Sequence, residues 1–391
     1  MISVNKLTFL IVFQLIALKL LAQLEDPFSV MYNKVCDSSL YFQAYLELAD
    51  NENLYLESTL SNNFFEMFAT LNSYVGRYDD AIEYFHKRNI QKSYSTDTII
   101  TINVKDCGIN QKDLNFLYNK YNVVLFNEEH HNPKYRAFVY SQLIYLKAKG
   151  YNQLAIEALN IKDINLQKRK YPTSITGFYT DEPVFGNLIR KALNLGFDLI
   201  AYDNTKMRRD KNQAKNIFKA YSPQRGKLVV FGGYGHIAQK GLMMGQHLKK
   251  MLKEDILSIS LFMPYKTVEL INTSSDEYYL KEDKTGYFDY FLFYKYHQNN
   301  INIPYWYKFL NYKIIPLNRI YNKQLVYPSL IQVSKPNEKD GIPIYQYLIK
   351  KTDSTNVNLA FPDKNLYNII IININNIDTV KITIKDSLFY E

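Results

Sequence analysis

Val123-Val124-Leu125-Phe126-Asn127-Glu128-Glu129-His130-His131 is an apolar run that gives way at once to two carboxylates and two imidazoles. Val123–Phe126 reads as a short buried strand, so the polar cluster falls at the strand's end. Like charges and imidazoles crowded into one mouth destabilise it unless a metal, a water or a substrate uses them. A second stretch has the same shape: Leu228-Val229-Val230-Phe231, then Gly232-Gly233-Tyr234-Gly235-His236. Both apolar strands end in a histidine.

Working outward, strands over Val123–Phe126, Leu154–Glu157, Asp198–Tyr202, Lys227–Phe231 and Ile256–Phe262 alternate with helices over Tyr135–Lys149, Val184–Leu195, Lys211–Tyr221 and Lys240–Lys253. This alternation predicts an α/β fold, a mostly parallel sheet with flanking helices. Gly150 and Gly196 end their helices, and Asp181-Glu182-Pro183 opens one with acid and proline in its first turn. Tyr287–Tyr294 reads as a further strand of the sheet. Ligands of such sheets bind at the carboxyl ends of the strands. That rule puts His130, His131, Glu157, Asp203 and His236 on one rim.

The α/β core, expected over residues 96–300, is preceded by a small helical cap over 24–95 and followed by an aromatic and β-rich tail over 301–391. In the cap, Tyr41, Tyr45 and Leu48, then Phe64, Phe65, Phe68 and Leu71, recur at helical spacing. Tyr74–Phe85 resembles one tetratricopeptide unit, with Gly76 at the turn and Ala81 at the close contact. One unit does not make an array, which needs neighbours to bury its faces. Ile99–Val104 reads as a strand and Gln111–Tyr121 as a helix leading into the core. In the tail, Ile303–Leu317 reads as a covering segment and Leu366–Ile384 as a hairpin around Asn375-Asn376, whose Ile-rich edges call for cover.

Residues 1–23 read as an export signal: Lys6, an apolar run Leu7–Leu21, and a cut after Ala22 or Gln23. Gln14 and Lys19 interrupt the run, which is short for a stable membrane anchor, so a periplasmic or extracellular protein is expected. That compartment permits a disulfide between Cys36 and Cys107 without implying one. The 391 residues are 47% hydrophobic, ample for a core. The formal charge of +9 comes from Lys and Arg spread among acidic residues, with no nucleic-acid reader motif, so the expected partner is a small-molecule or peptide substrate rather than nucleic acid.

His130 or His131 is a candidate general base or metal ligand, with Glu128 orienting it. Glu157 closes the apolar strand Leu154-Ala155-Ile156, where a carboxylate needs a raised pKa or a cation such as Arg190 or Arg209. The glycines around Tyr234 let the chain turn tightly and present His236 to the rim. Tyr234 and Asp203 are candidate substrate-binding residues. Arg209, whose planar fork stays charged at any working pH, is a candidate partner for a carboxylate or a developing oxyanion.

Over residues 123–294 the pattern resembles the superfamily that joins erythromycin-esterase-like proteins, ChaN-type haem-binding proteins and TraB/Tiki proteins. Those carry a strand followed by Gly-Glu-x-His or Gly-Glu-x-x-His. Asn127-Glu128-Glu129-His130-His131 fits either spacing, with Asn127 in place of the glycine, and the following Asn132-Pro133 is similar to the ChaN-type run and favours His130. Glu157 stands where the esterase-like proteins have a strand-closing glutamate. Arg209-Asp210 with Ala214 and Asn216 resembles their Arg-Asp-x-x-Met-Ala-x-Asn helix, with Gln213 for the methionine. Gly233-Tyr234-Gly235-His236 resembles the Tiki-type Gly-x-x-His; the esterases have a further histidine where Gly233 stands, a departure that speaks against a macrolide substrate. The resemblance implies a hydrolase that activates water with paired histidines and glutamates. It is either metal-free, or dependent on a divalent metal held by His130, Glu157 and His236. The ChaN-like alternative is haem capture without catalysis.

Overall fold

The computed structural model describes residues 24–91, 98–103, 111–203, 207–263, 266–271, 278–294, 302–353 and 357–384. Residues 1–23, read as an export signal, and Cys107, read as a permitted disulfide partner of Cys36, lie outside the described residues. No helix among the described residues is long and apolar enough to cross a membrane.

The N-terminal helices α1 (Tyr41–Asp50), α2 (Ser61–Tyr74) and α3 (Tyr78–Gln91) gather the apolar positions that recur at helical spacing, Tyr41, Tyr45, Leu48, Phe64, Phe65, Phe68 and Leu71, into one buried cluster. The turn between α2 and α3 holds Gly76 at φ +75°, and a Cβ there would sit 2.1 Å from the Gln346 carbonyl oxygen. Only glycine allows both this backbone twist and this approach. The turn thus presses on the tail, where the Leu348 N–H donates to the Val75 carbonyl at 2.8 Å.

The core opens with α4 (Gln111–Lys120) and proceeds through β1 (Val123–Glu128), α5 (Lys134–Ala148), β2 (Tyr151–Ile156), α6 (Pro183–Asn194), β3 (Asp198–Ala201), α7 (Arg209–Ala220), β4 (Lys227–Gly233), α8 (Met244–Leu252), β5 (Leu257–Ser260), β6 (Tyr278–Glu282) and β7 (Tyr290–Tyr294). Its seven-stranded sheet has the order β3-β2-β4-β1-β5-β7-β6. All neighbours pair in parallel except β6 with β7. Alternate residues of each strand feed opposite cores. Val124, Phe126, Leu154, Ile156 and Phe231 pack with α4, α5 and α6, whereas Val123, Leu125, Ala155 and Val230 pack with α7 and α8. The fold is therefore α/β with helices on both faces of a mostly parallel sheet.

The observed elements differ from those expected at two places, the first of them beside the site. The helix expected from Lys240 begins only at Met244, because residues 236–243 are used to close the turn after β4, with the Gly245 N–H on the His236 carbonyl at 2.9 Å. The strand expected over Ile99–Val104 runs Thr98–Asn103 and pairs with Lys266–Ile271 in a separate two-stranded ribbon.

The tail is more ordered than its sequence announces. Strands β8 (Ser329–Ser334), β9 (Tyr345–Ile349), β10 (Leu366–Asn373) and β11 (Ile377–Thr383) form an antiparallel sheet in the order β9-β8-β10-β11. The expected Ile-rich hairpin is β10–β11. Leu330, Leu348 and Ile372 face the N-terminal helices. Ile331, Val333, Tyr347 and Ile369 face a second core that includes Trp306 and Tyr307 of the covering segment and Ala137 and Val184 of the α/β unit. The cap packs on the tail sheet through Leu330, Leu348 and Ile372 and also meets the α/β unit directly, with the Tyr74 hydroxyl donating to the Phe178 carbonyl at 2.8 Å.

Candidate active site

Parallel pairing brings the ends of β1, β4 and β2 together: Glu128 lies opposite Gly233, and Ile156, one residue before Glu157, opposite Phe231. Glu128 is buried, with one oxygen 2.9 Å from His130 Nδ1. Both its oxygens accept from Arg136 of α5, through Nε and, at 3.1 Å, through Nη2. Arg136 is fully buried and also donates to Glu182 at 3.1 Å and to the His130 carbonyl at 2.8 Å. Glu182 in turn caps α6, accepting the Val184 and Phe185 N–H groups at 2.9 and 2.8 Å. One guanidinium thus ties a strand end, a helix start and a histidine into one buried network.

The His130 ring is stacked on Tyr179 at 3.8 Å and meets Tyr234 edge-on at 4.9 Å. Its Nε2 side faces Gly233. A Cβ on Gly233 would stand 2.8 Å from His130 Nε2 and 3.2 Å from a Glu157 oxygen. The absence of a side chain at 233 is what allows His130 and Glu157 to approach the same point. Asn127, buried, is equally fitted: it donates to the Tyr234 carbonyl at 2.7 Å and to Ser260 at 2.9 Å, and accepts the Leu261 N–H at 2.7 Å. It fastens β1 to the β4 turn and to the end of β5. Tyr234 itself sits at φ +43°, an unusual backbone for a bulky residue.

Glu157 has a cationic partner, as its burial requires: Arg209 Nη2 donates at 2.7 Å and Gln213 at 3.2 Å to one oxygen, and the Gly233 N–H donates to the other. Arg190 pairs with Glu338 instead. His236 Nε2 lies 3.6 Å from Glu157, and its Nδ1 is 2.7 Å from Asp210. Asp210 also accepts the Met244 N–H at 2.9 Å. Asp203 accepts from Arg209 Nε at 3.0 Å and Gln213 at 2.7 Å. Arg209 thus joins Glu157 and Asp203 through Nη2 and Nε, with its side chain 42% exposed.

His130, Glu157 and His236 thus share one place, while His131 occupies another. Its ring lies flat on Phe85 of α3 at 3.7 Å, and its buried Nδ1 has no hydrogen-bond partner among the described residues. Burial, with neighbouring histidines and cations adding to it, pushes His131 well below the ordinary histidine pKa. Burial also opposes charge on His236, but the Asp210 hydrogen bond and the Glu157 carboxylate overcome it and hold that pKa above the ordinary value. Glu128 is held low against the cost of burial by Arg136 and His130, and Asp210 is held low against the same cost by His236.

The residues fit a resident metal poorly. Both Glu157 oxygens are taken, and Arg209 stands where a cation would sit; among the described residues no group of three His, Cys, Asp or Glu side chains is arranged to hold an ion. Haem fits no better at this place. Tyr179 and Tyr234 have their phenols pushed up by burial and surrounding carboxylates, and their rings pack against His130.

The sequence pattern misses Arg136, Glu182, Tyr179 and Phe85, and names Asp210 only as part of a motif. The acid and proline at 181–183 signalled the helix start that Glu182 caps.

Neither the scan of protein-family models nor the search of curated proteins gives a match. Among solved structures, the chain is similar to one described as "Bacterial protein toxins", at 12% identity and TM-score 0.32, covering 63% of this chain and 59% of that one. A second is RRSP, a MARTX toxin effector domain from Vibrio vulnificus CMCP6, at 14% identity and TM-score 0.32, covering 60% of this chain and 55% of that one. The chain spans less than two thirds of either, and likeness at this level carries no functional argument.

Proposed function

We propose that this chain is an exported, metal-independent hydrolase of the erythromycin-esterase/Tiki-like type that cleaves an ester or amide by activating water. The observation that carries the reading is the doubled arrangement of His130 and His236. Each imidazole has its Nδ1 on a carboxylate, Glu128 or Asp210, and each lies by Glu157: His236 through Nε2 at 3.6 Å, His130 across the space above Gly233. A carboxylate on Nδ1 fixes the tautomer and leaves Nε2 for proton transfer.

In the proposed reaction His130 Nε2 takes a proton from water, and the oxygen bonds to the substrate carbonyl carbon. Glu128 stabilises the resulting imidazolium. His236, protonated beside Asp210 and Glu157, donates its Nε2 proton to the departing oxygen or nitrogen as the C–O or C–N bond breaks. Glu157, which accepts from Arg209 at 2.7 Å, lies 3.6 Å from His236 Nε2 and holds that ring in place.

A panel of esters and peptides assayed with the purified protein tests the reading. Turnover that His130→Ala lowers by roughly 10²–10⁴-fold, the usual share of a general acid–base group, supports it; no turnover by the wild type removes it. Export is tested by N-terminal sequencing of the secreted protein, which should begin near Gln23 or Leu24; an uncleaved, membrane-embedded product contradicts it.

A further inference from the structure

Between β2 and α6, residues 160–176 form a loop with its polarity turned inside out. Its charged pair is inside: Asp163, with 1% of its side chain exposed, accepts from Arg169 at 2.6 Å and from the Thr176 hydroxyl at 2.7 Å. Its isoleucines are outside, with Ile161 79%, Ile164 84% and Ile175 58% exposed. The loop is pinned shut, the Asn160 N–H donating to the Thr176 carbonyl at 2.7 Å and the Asn160 side chain to the Ile175 carbonyl at 3.2 Å. A loop fixed in this way keeps its isoleucines in water, where apolar surface gains nothing until something covers it.

The charge around them says what covers them. Lys162, Lys168 and Lys170 of the same loop are exposed and make no ion pair among the described residues, while its one acid, Asp163, is buried and paired. Cationic side chains set among exposed isoleucines match an anionic lipid surface, which takes apolar side chains at the acyl boundary and lysines at the head groups. The loop leaves the carboxyl end of β2 and runs into the Phe178–Asp181 turn that lays Tyr179 on His130. Met207, 88% exposed, and exposed Arg208 follow β3 at the same edge of the sheet.

We propose that loop 160–176 is a docking surface for an anionic lipid bilayer, with Ile161, Ile164 and Ile175 entering the acyl boundary and the lysines meeting the head groups. The catalytic edge of the sheet is then held against the bilayer. Binding does not depend on turnover, so the proposal and the hydrolytic reading succeed or fail separately.

Co-sedimentation of the full chain with phosphatidylcholine vesicles, with and without phosphatidylglycerol, tests it. Because the apolar run Leu7–Leu21 can itself bind vesicles, the result is read as the difference between wild type and variant. The wild type should bind phosphatidylglycerol vesicles more tightly, and less so at high salt. Ile161→Asp with Ile164→Asp should weaken that binding roughly tenfold or more, and Lys162→Glu with Lys168→Glu should weaken it and flatten its salt dependence. Unchanged binding by both double variants, or indifference to phosphatidylglycerol, overturns the proposal. So does a dimer of the chain that the isoleucine variant breaks, which would assign the loop to a second copy.

Discussion

The two histidine–carboxylate pairs at the sheet edge are built to different standards of rigidity. Glu128, which holds His130, is buried and gripped by Arg136, which is itself gripped by Glu182 and a carbonyl. Asp210, which holds His236, has 24% of its side chain exposed and is otherwise tied to the Met244 N–H. The first pair is part of the framework, and the second is a charge site near solvent. Disturbing the first should damage the fold; disturbing the second should move a proton.

The largest expected effect follows from the framework pair. Arg136→Met strands Glu128 and Glu182 in a buried setting without their cation, a loss of about 3–5 kcal/mol. Asp210→Asn, at a side chain 24% exposed, should change stability far less. Denaturant unfolding of both variants measures the contrast, and equal losses would erase the distinction between the pairs.

Next come the protons. His236 carries a raised pKa, so the stability of its ion pair is fully present below about 6.5, the unfolded value, and is lost as pH rises through the folded value. Asp210→Asn removes the main cause of the rise and should move the alkaline limb of the rate profile to lower pH. His131 has the opposite sign. Its depressed pKa means the unfolded chain binds more protons, so stability falls as pH drops below about 6.5. His131→Leu should flatten that acid loss in a series of thermal melts; an unchanged slope would show that His131 is not the group responsible. The smallest effect is expected at His247 on α8, where His247→Ala should leave turnover unchanged.

How much of this was legible depends on how local the signal is. The runs Val123–Phe126 and Leu228–Phe231 are continuous apolar segments because their strands are covered on both faces, and each leads straight to its histidine. Parallel topology then does the rest, placing His130, Glu157 and His236 on one edge. Arg136 was illegible: it lies eight positions beyond Glu128 on a helix, and only the packing of α5 against the end of β1 turns it inward. Tyr179 and Phe85 arrive from a loop and from the cap, and no spacing links them to the site. Strands β8 and β9 were not legible because each carries a buried glutamine, Gln332 or Gln346, within its run. Gln332 Nε2 donates to the Gln346 side-chain oxygen across the strands at 2.7 Å, and such buried amides break the apolar pattern that marks a covered strand.

The central claim is that His130 and His236 act together in one hydrolytic step. Turnover of a single competent ester or peptide by the wild type, His130→Ala, His236→Ala and the double variant measures it most directly. The account predicts that each single change lowers kcat by roughly 10²–10⁴-fold and that the double variant is little worse than the poorer single one, because groups that act as a unit are not additive. Full activity in His236→Ala, or losses that multiply in the double variant, would contradict it.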